Sequence, residues 1–183
     1  MLFLNGQHII DYEQKIPTLS DHRWYPVYCR PNKEKKFFEA SVKQGISCYM
    51  PEIMRHRMTR GKRVVTPVPM FAGYVFACTD RQQNWVVKQS KFVLKILPVE
   101  EYNEQQLISE LNIVRIFENL ARSSKVEVHP EFVPGKKVVI SHGKLQGIKG
   151  IIVKRKNEIE IIIKLEFLGC CLATIEAYDI ELA

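Results

Sequence analysis

Between Arg23 and Ala121 the sequence alternates between short runs of β-branched and aromatic residues and longer segments of helical period. This alternation constrains the fold most, because a strand repeats every two residues and a helix every 3.6. Strands are predicted at 23–29, 46–51, 64–70, 74–78 and 92–98, and helices at 32–45, 81–90 and 104–121. The order β-α-β-β-β-α-β-α predicts an α+β fold with helices packed on a small antiparallel sheet.

The first predicted helix has recognisable boundaries and two different faces. Asn32 is the predicted N-cap and Gly45 the predicted stop. Phe37 and Phe38 fall on the face expected to be buried, and Lys36 falls on the opposite face. In the third helix, Leu107, Leu111, Val114, Phe117 and Ala121 share one side.

A second, all-β region follows a polar stretch at 121–132. Its β-type runs are KKVVIS, GIIVKR, IEIIIKLEF and CCLATIEA, with a tight turn at 156–158. Several short strands in such a short region predict a small β-barrel. The chain therefore divides into an extension without periodicity at 1–20, a domain at 21–122, a linker at 123–131 and a domain at 132–183.

The positive charge is confined to the first part of the chain. The formal net charge is +7. Residues 1–125 hold 19 Lys and Arg against 12 Asp and Glu, whereas residues 126–183 hold 8 of each. The asymmetry indicates a first domain that faces a polyanion. The most basic stretch is 55–63, with five Lys or Arg, one His and no acid. It is predicted to be a polar loop.

Several functional classes find no support in the sequence. No apolar run approaches the roughly 20 residues of a membrane helix, and the N-terminus lacks a basic signal-peptide region, so a cytoplasmic protein is expected. The five cysteines form no C-x-x-C pair and are expected to be mostly buried thiols. The histidines are scattered, at 8, 22, 56, 129 and 142. We therefore expect no enzymatic activity, no metal and no cofactor.

Three glycines, Gly143, Gly147 and Gly150, lie close together in a lysine-rich segment. A phosphate-binding loop would need a helix directly after the glycines. Here Ile-Ile-Val follows Gly150, which favours a strand. The glycines are therefore predicted to form a turn between two strands.

Two motifs resemble those of a known family. The run from Val138 to Gly143, followed by Gly147-Ile-Lys-Gly150-Ile-Ile-Val153, resembles the KOW motif of transcription and ribosomal proteins. Trp24-Tyr25 and the run Phe71-Ala72-Gly73-Tyr74-Val75 resemble the NusG N-terminal (NGN) domain, although Ala72 stands where that family usually has proline. The chain thus resembles NusG-family elongation factors, and WYPVYCRPNKEKK resembles the specialised RfaH and UpxY paralogues.

The resemblance implies a ferredoxin-like NGN domain, joined to a five-stranded KOW barrel, that grips the clamp helices of RNA polymerase's largest subunit. The polymerase-binding residues it implies are Trp24, Tyr25, Met70, Phe71, Tyr74, Ile96 and Leu97. It also implies contact with the nontemplate DNA strand, or with the second-largest polymerase subunit across the channel. The residues for that contact are Arg30, Lys33, Lys36, Arg55, Arg57, Arg60, Lys62 and Arg63.

The KOW domain would recruit a second partner, such as ribosomal protein S10 or Rho, through Ile148, Phe167 and Leu168. Together these features predict a monomeric, operon-specific antiterminator that suppresses pausing. Two alternatives stay open at this point. One is a general NusG-type elongation or termination factor, and the other is a KOW protein that binds RNA or associates with the ribosome.

Overall fold

The computed structural model describes residues 1–120, 122, 126–129, 137–142, 146–155, 159–165, 169–175 and 180–182. The chain forms two compact units, Met1–Asn112 and Ile113–Ala183. The division lies inside a helix rather than at residue 122, where the sequence suggested a domain boundary. Each unit is described separately.

The first unit contains eight strands and two complete helices. In chain order these are β1 (Leu2–Leu4), β2 (Gln7–Ile9), β3 (Arg23–Cys29), α1 (Glu34–Lys43), β4 (Ser47–Tyr49), β5 (Glu52–Thr59), β6 (Lys62–Pro69), β7 (Tyr74–Thr79), α2 (Arg81–Gln89) and β8 (Val93–Ile96). Helix α3 (Glu101–Leu120) spans the division between the units and begins three residues before the predicted start at 104.

Six of these strands form one antiparallel sheet in the order β2-β1-β4-β7-β3-β8. On one face, Phe37 and Phe38 of α1 and Val87 of α2 join a buried cluster with Val75 and Ala77 of β7. The predicted antiparallel sheet with packed helices is therefore confirmed, and so is the buried face of α1. We call this side of the sheet the helix face.

The opposite face carries the other side chains of the same strands, because neighbours along a strand point to opposite sides. Trp24, Tyr49 and Phe76 are completely buried here. The Trp24 backbone N–H donates to Glu104 Oε1 of α3 at 3.2 Å, and its indole N–H donates to the Pro17 carbonyl at 3.1 Å. The start of α3 is thereby fixed to this face.

The first residues are part of the sheet, although the sequence analysis set 1–20 apart as an extension. Leu2, Phe3 and Leu4 are buried, and β1 pairs with β4. Ile16 is also buried, and its N–H donates to Asn112 Oδ1 at 2.7 Å. Strands of three residues are too short to produce a visible two-residue period, which is why they could not be predicted from the sequence.

The ends of α1 differ in how well the sequence predicts them. The N-cap is Lys33, not Asn32, which instead adopts a left-handed conformation with φ 59°. At the other end Gly45 has φ 70°, its N–H donates to the Val42 carbonyl, and the Ile46 N–H donates to the Ser41 carbonyl. These paired bonds form a Schellman motif, so the predicted glycine stop is confirmed.

The basic stretch 55–63 is a β-hairpin, so the predicted loop was wrong. Strands β5 and β6 pair along their full length, from Glu52 opposite Pro69 to Thr59 opposite Lys62. Arg60 and Gly61 connect them with φ 50° and 75°. Two consecutive positive φ angles make a type I′ turn, whose twist matches that of paired strands.

The second unit contains β9 (Val126–His129), β10 (Lys137–Ile140), β11 (Lys149–Arg155), β12 (Ile159–Leu165), β13 (Gly169–Ile175) and β14 (Ile180–Leu182). They form an antiparallel sheet in the order β14-β10-β11-β12-β13-β9. The four predicted β-type runs are confirmed as strands. Strand β9 lies within the stretch predicted as a linker. The predicted turn at 156–158 lies outside the described residues.

Candidate binding surfaces

A tight turn precedes β7 and determines which side chains stand beside it. The Tyr74 N–H donates to the Phe71 carbonyl at 3.1 Å, which closes a four-residue turn with Gly73 at φ 86°. A Cβ on Gly73 would lie 2.7 Å from Cε2 of Tyr28. Glycine is required here both for the backbone conformation and for the close approach of the Tyr28 ring.

The same turn is held from two directions. Glu34, in the first turn of α1, is only 8% exposed and accepts the Gly73 N–H at 2.8 Å. The Gly73 carbonyl accepts the Cys29 N–H at 2.7 Å. A hydrogen bond to an ionised carboxylate is stronger than one between neutral groups. The turn is therefore fixed relative to both α1 and the end of β3.

Three aromatic residues lie in or directly beside this turn, and we call Tyr28, Phe71 and Tyr74 the aromatic patch. The rings of Tyr28 and Tyr74 lie 5.1 Å apart, and Phe71 packs edge-on against buried Phe76 at 6.2 Å. Tyr28 is 39% exposed, and Phe71 and Tyr74 are half-buried. Rigid, partly exposed aromatic side chains are typical of anchors in protein interfaces.

Two of the predicted polymerase-binding residues belong to the core. Trp24 is completely buried, and Met70 is 5% exposed. The Met70 N–H donates to the Pro51 carbonyl at 2.7 Å, which fixes the end of the hairpin. The structure therefore places both residues in the core rather than at the surface where a partner contact was predicted.

Strand register separates Tyr25 and Ile96 from the aromatic patch. Tyr25 lies opposite Ala77, and Ile96 lies opposite Val27, so both belong to the helix face. Ile96 packs against the buried cluster there. Leu97 is half-buried, and its N–H donates to the Pro26 carbonyl. Of the seven predicted residues, the structure brings Phe71 and Tyr74 together.

Tyr28 was missed by the sequence analysis, although a signal for it existed. It lies four residues after Trp24 in the same strand, and residues separated by an even number share a face. Its pairing with Tyr74 in register places both rings side by side. The strand period identifies the face, but the exposure of Tyr28 depends on what covers each end of the sheet.

Tyr25 instead lines a cleft of about 480 Å³ between β3 and α2. Trp85 of α2 is 63% exposed at this cleft. The remaining lining residues are Asp21, Arg23, Thr79, Asp80, Arg81, Asn84 and Lys88. Both signs of charge are present, so the cleft has no single electrostatic preference.

The basic hairpin projects exposed cations from a fixed base. Lys35 Nζ donates to the Pro67 carbonyl at 2.9 Å and pairs with Glu52 at 3.3 Å, which ties the hairpin to α1. From Met54 to Thr66 every residue is exposed. The cations predicted to touch nucleic acid or polymerase, Arg55, Arg57, Arg60, Lys62 and Arg63, are all accessible.

The cations at the start of α1 are also at the surface. Arg30 and Lys36 are exposed, and Lys33 is half-buried. Arg30 Nε donates to the Lys91 carbonyl at 3.1 Å, and its backbone N–H donates to the Phe92 carbonyl at 2.8 Å. Arg30 is thus oriented by the residues that directly precede β8. Lys36 has more conformational freedom, because it is an exposed lysine with a flexible side chain.

In the second unit the glycines have different roles. Gly147 has φ 82°, and its N–H donates to the Ile140 carbonyl at 2.8 Å, so its predicted place in a turn is confirmed. Gly150 lies within β11 opposite Val138, which corrects its placement in the turn. Ile148 is half-buried. Gly143, Phe167 and Leu168 lie outside the described residues.

The thiols of the first unit are unsuited to nucleophilic chemistry. Burial, followed by the charge of Glu34, raises the pKa of Cys29 to about 12. Burial, followed by the charge of Glu104, raises the pKa of Cys78 to about 12, and burial raises the pKa of Cys48 further. A thiol must ionise to act as a nucleophile or metal ligand. Among the described residues no group of three His, Cys, Asp or Glu could hold a metal ion.

None of the described helices combines the length and apolar character needed to cross a membrane.

The family model described as "NusG: Transcription termination factor nusG" matches residues 22–117, more than half of the chain. Among solved structures, the chain is similar to NusG of Thermotoga maritima with 16% sequence identity and a TM-score of 0.47, over 88% of this chain and 97% of that one. It is also similar to a chain of the MjSpt4:Spt5 complex in conformation B, with 14% identity and a TM-score of 0.27, over 87% and 96% of the two chains.

Proposed function

The chain belongs to the NusG family of transcription factors, and we propose that it is an elongation factor that binds RNA polymerase through the aromatic patch. The observation that carries the proposal is the ring pair of exposed Tyr28 and half-buried Tyr74, which lies at the turn that contains Phe71 and is fixed at Gly73. A fixed patch loses little conformational entropy on binding. The patch therefore suits a rigid partner such as the clamp helices of the largest polymerase subunit.

The contact would combine apolar burial with polar specificity. Phe71 would supply an apolar ring, and Tyr28 and Tyr74 would add hydroxyl groups that can form hydrogen bonds with a partner. Truncating an aromatic hot-spot residue to alanine at a protein interface typically costs about 2 kcal/mol or more of binding free energy. Leu97, half-buried in the chain segment that follows β8, is a secondary contact.

We further propose that the factor is an operon-specific antiterminator of the RfaH or UpxY type. Bridging the polymerase clamp would keep the upstream edge of the transcription bubble closed and suppress pausing. Arg30, Lys33 and Lys36 would hold the nontemplate DNA strand, and the basic hairpin would contact DNA or the second-largest polymerase subunit. Their exposure on the first unit supports this assignment.

The second unit would act as a partner-recruiting domain. We propose residues 21–122 as the NGN domain, 123–131 as the linker, which contains β9 paired with β13, and 132–183 as a five-stranded KOW barrel. The antiparallel strands β10 to β13 and the Gly147 turn support that assignment. Ribosomal protein S10 or Rho is the proposed partner, and Ile148, Phe167 and Leu168 are the proposed contacts.

A single-round transcription assay with purified polymerase tests the function. The template carries a pause site followed by a Rho-dependent terminator, and the full chain is added to elongating complexes. We expect shorter pauses and more readthrough. Increased termination with Rho would instead indicate a general NusG-type factor. No effect on polymerase, together with tight binding to free RNA, would indicate an RNA-binding or ribosome-associated protein.

A further inference from the structure

We propose that one face of the β5–β6 hairpin binds the phosphodiester backbone of nucleic acid, while the other face does not. The binding face carries Arg55, Arg57 and Lys62, and we call it the cationic face. This deepens the proposed function, on which it rests only for the source of the nucleic acid, namely the DNA of a transcribing polymerase. Among the hairpin cations it separates Arg55, Arg57 and Lys62, which make the contact, from Arg63, which does not.

The register of the hairpin sorts its side chains into two sets. Residues directly opposite each other share a face, and the face alternates along each strand. The pairs on the cationic face are Arg55 with Thr66, Arg57 with Val64 and Thr59 with Lys62. The pairs on the opposite face are Met54 with Pro67, His56 with Val65 and Met58 with Arg63.

The two faces therefore differ in chemistry. The cationic face combines three positive side chains with the hydroxyl groups of Thr59 and Thr66, all of them exposed. Both groups are common donors to phosphate oxygens. The opposite face is mainly apolar, with Met58 at 71% and Val65 at 48% exposure. An amphipathic ribbon of this kind presents most of its charge on one face.

The cation on the opposite face already has a neighbour. Arg63 lies against the His56 ring, with Nε and Nη2 at 3.3 Å and 3.1 Å from Nδ1. Its guanidinium is thus directed along the apolar side of the hairpin. Arg63 therefore carries the same charge as Arg57 without belonging to the cationic face.

Nothing within the hairpin neutralises the cationic face. The sequence contains no Asp or Glu from Ile53 to Thr79. The acid at the hairpin base, Glu52, pairs with Lys35. Arg55 and Arg57 lie two residues apart, about 6.8 Å along the strand. A row of cations at such spacing can contact the phosphates of a passing strand without reading its bases.

Arg57→Gln and Arg63→Gln form a matched pair for the test. They remove equal charge from adjacent positions of one hairpin, on opposite faces. Binding of the full chain to labelled single-stranded DNA and to labelled duplex DNA is followed by fluorescence anisotropy over a series of salt concentrations. The tighter probe identifies the form of DNA that the hairpin meets.

We expect Arg57→Gln to reduce the slope of log K against log salt by about 0.7 for a single strand or about 0.9 for a duplex. Arg63→Gln should leave the slope unchanged. The double variant that carries both Arg55→Gln and Arg57→Gln should reduce the slope about twice as much as Arg57→Gln alone. Equal losses in the two matched variants would show a response to net charge alone and overturn the proposal. Unchanged slopes in both, or no binding to either probe, would also overturn it.

Polymerase binding is measured on the same variants without nucleic acid. The proposed function fails if the wild-type chain does not bind polymerase, whatever the DNA result. The hairpin proposal fails on the DNA slopes even if polymerase binding is intact. The cationic face could instead bind an acidic surface of polymerase. In that case Arg57→Gln would weaken polymerase binding and leave DNA binding unchanged, and this result would contradict the proposal.

Discussion

Glu34 illustrates how a single buried side chain can set the geometry of the proposed binding surface. Glu34→Ala removes the acceptor of the Gly73 N–H. Because a buried donor then loses its partner, we expect the free energy of unfolding to fall by about 1–3 kcal/mol. The aromatic patch should also lose its fixed shape, so polymerase affinity should fall. Chemical denaturation and a polymerase-binding assay measure the two effects.

Glu34→Gln is the control, because its amide oxygen can still accept the same hydrogen bond. We expect this variant to retain most of the polymerase affinity that Glu34→Ala loses. If both variants bind polymerase as the wild-type chain does, Glu34 has no positioning role.

At the scale of single residues, the sequence predicted which residues lie in strands and turns better than it predicted which face of the sheet their side chains occupy. Phe71 and Tyr74 were both predicted as polymerase-binding residues, and they lie in one turn because they belong to one recognisable motif. Trp24, Tyr25 and Tyr28 were harder, because a strand pattern does not reveal which face of a sheet is covered, or how far. The Glu34–Gly73 contact joins residues 39 positions apart, and no local pattern signals such a pair.

At the scale of elements, the hairpin should be the least protected part of the first unit. Strands β5 and β6 pair with each other in a two-stranded sheet, and most of their residues are exposed. Such hairpins are marginally stable by themselves. We expect amide hydrogens of 54–66 to exchange faster than those of β3 and β7, which lie inside the six-stranded sheet. Hydrogen exchange read by mass spectrometry compares these segments within one sample. Equal protection would contradict the expectation.

The elements that the sequence predicted are those with a clear local pattern, either an apolar run or a helical period. Strand β7 has Phe76 and Ala77 in an uninterrupted apolar run, and α1 has a helical stripe that ends at a glycine. The hairpin was missed because its charges suggest a loop, whereas strand pairing depends on the positive φ angles of Arg60 and Gly61. Strands β1 and β9 are short and owe their existence to pairing with distant partners.

At the scale of the whole molecule, sequence and structure agree on an α+β part followed by a part made of strands. The order of motifs was predictable because each motif is local. The boundary between the two units was less predictable. Helix α3 continues through the division at Asn112, and helical periodicity alone does not reveal a division inside a helix. The distribution of charge differs between the two parts as well. The exposed cations of the hairpin and of α1 all lie in the first unit.

The affinity of the full chain for core RNA polymerase, without nucleic acid, tests the central claim most directly. Phe71→Ala is compared with Trp85→Ala, which removes another aromatic side chain from the opposite side of the sheet. Thermal unfolding of both variants controls for folding, since Phe71 packs on Phe76. We predict that Phe71→Ala weakens binding about tenfold or more, and that Trp85→Ala binds as the wild-type chain does. Equal affinities for all three chains, or a loss confined to Trp85→Ala, would contradict the account.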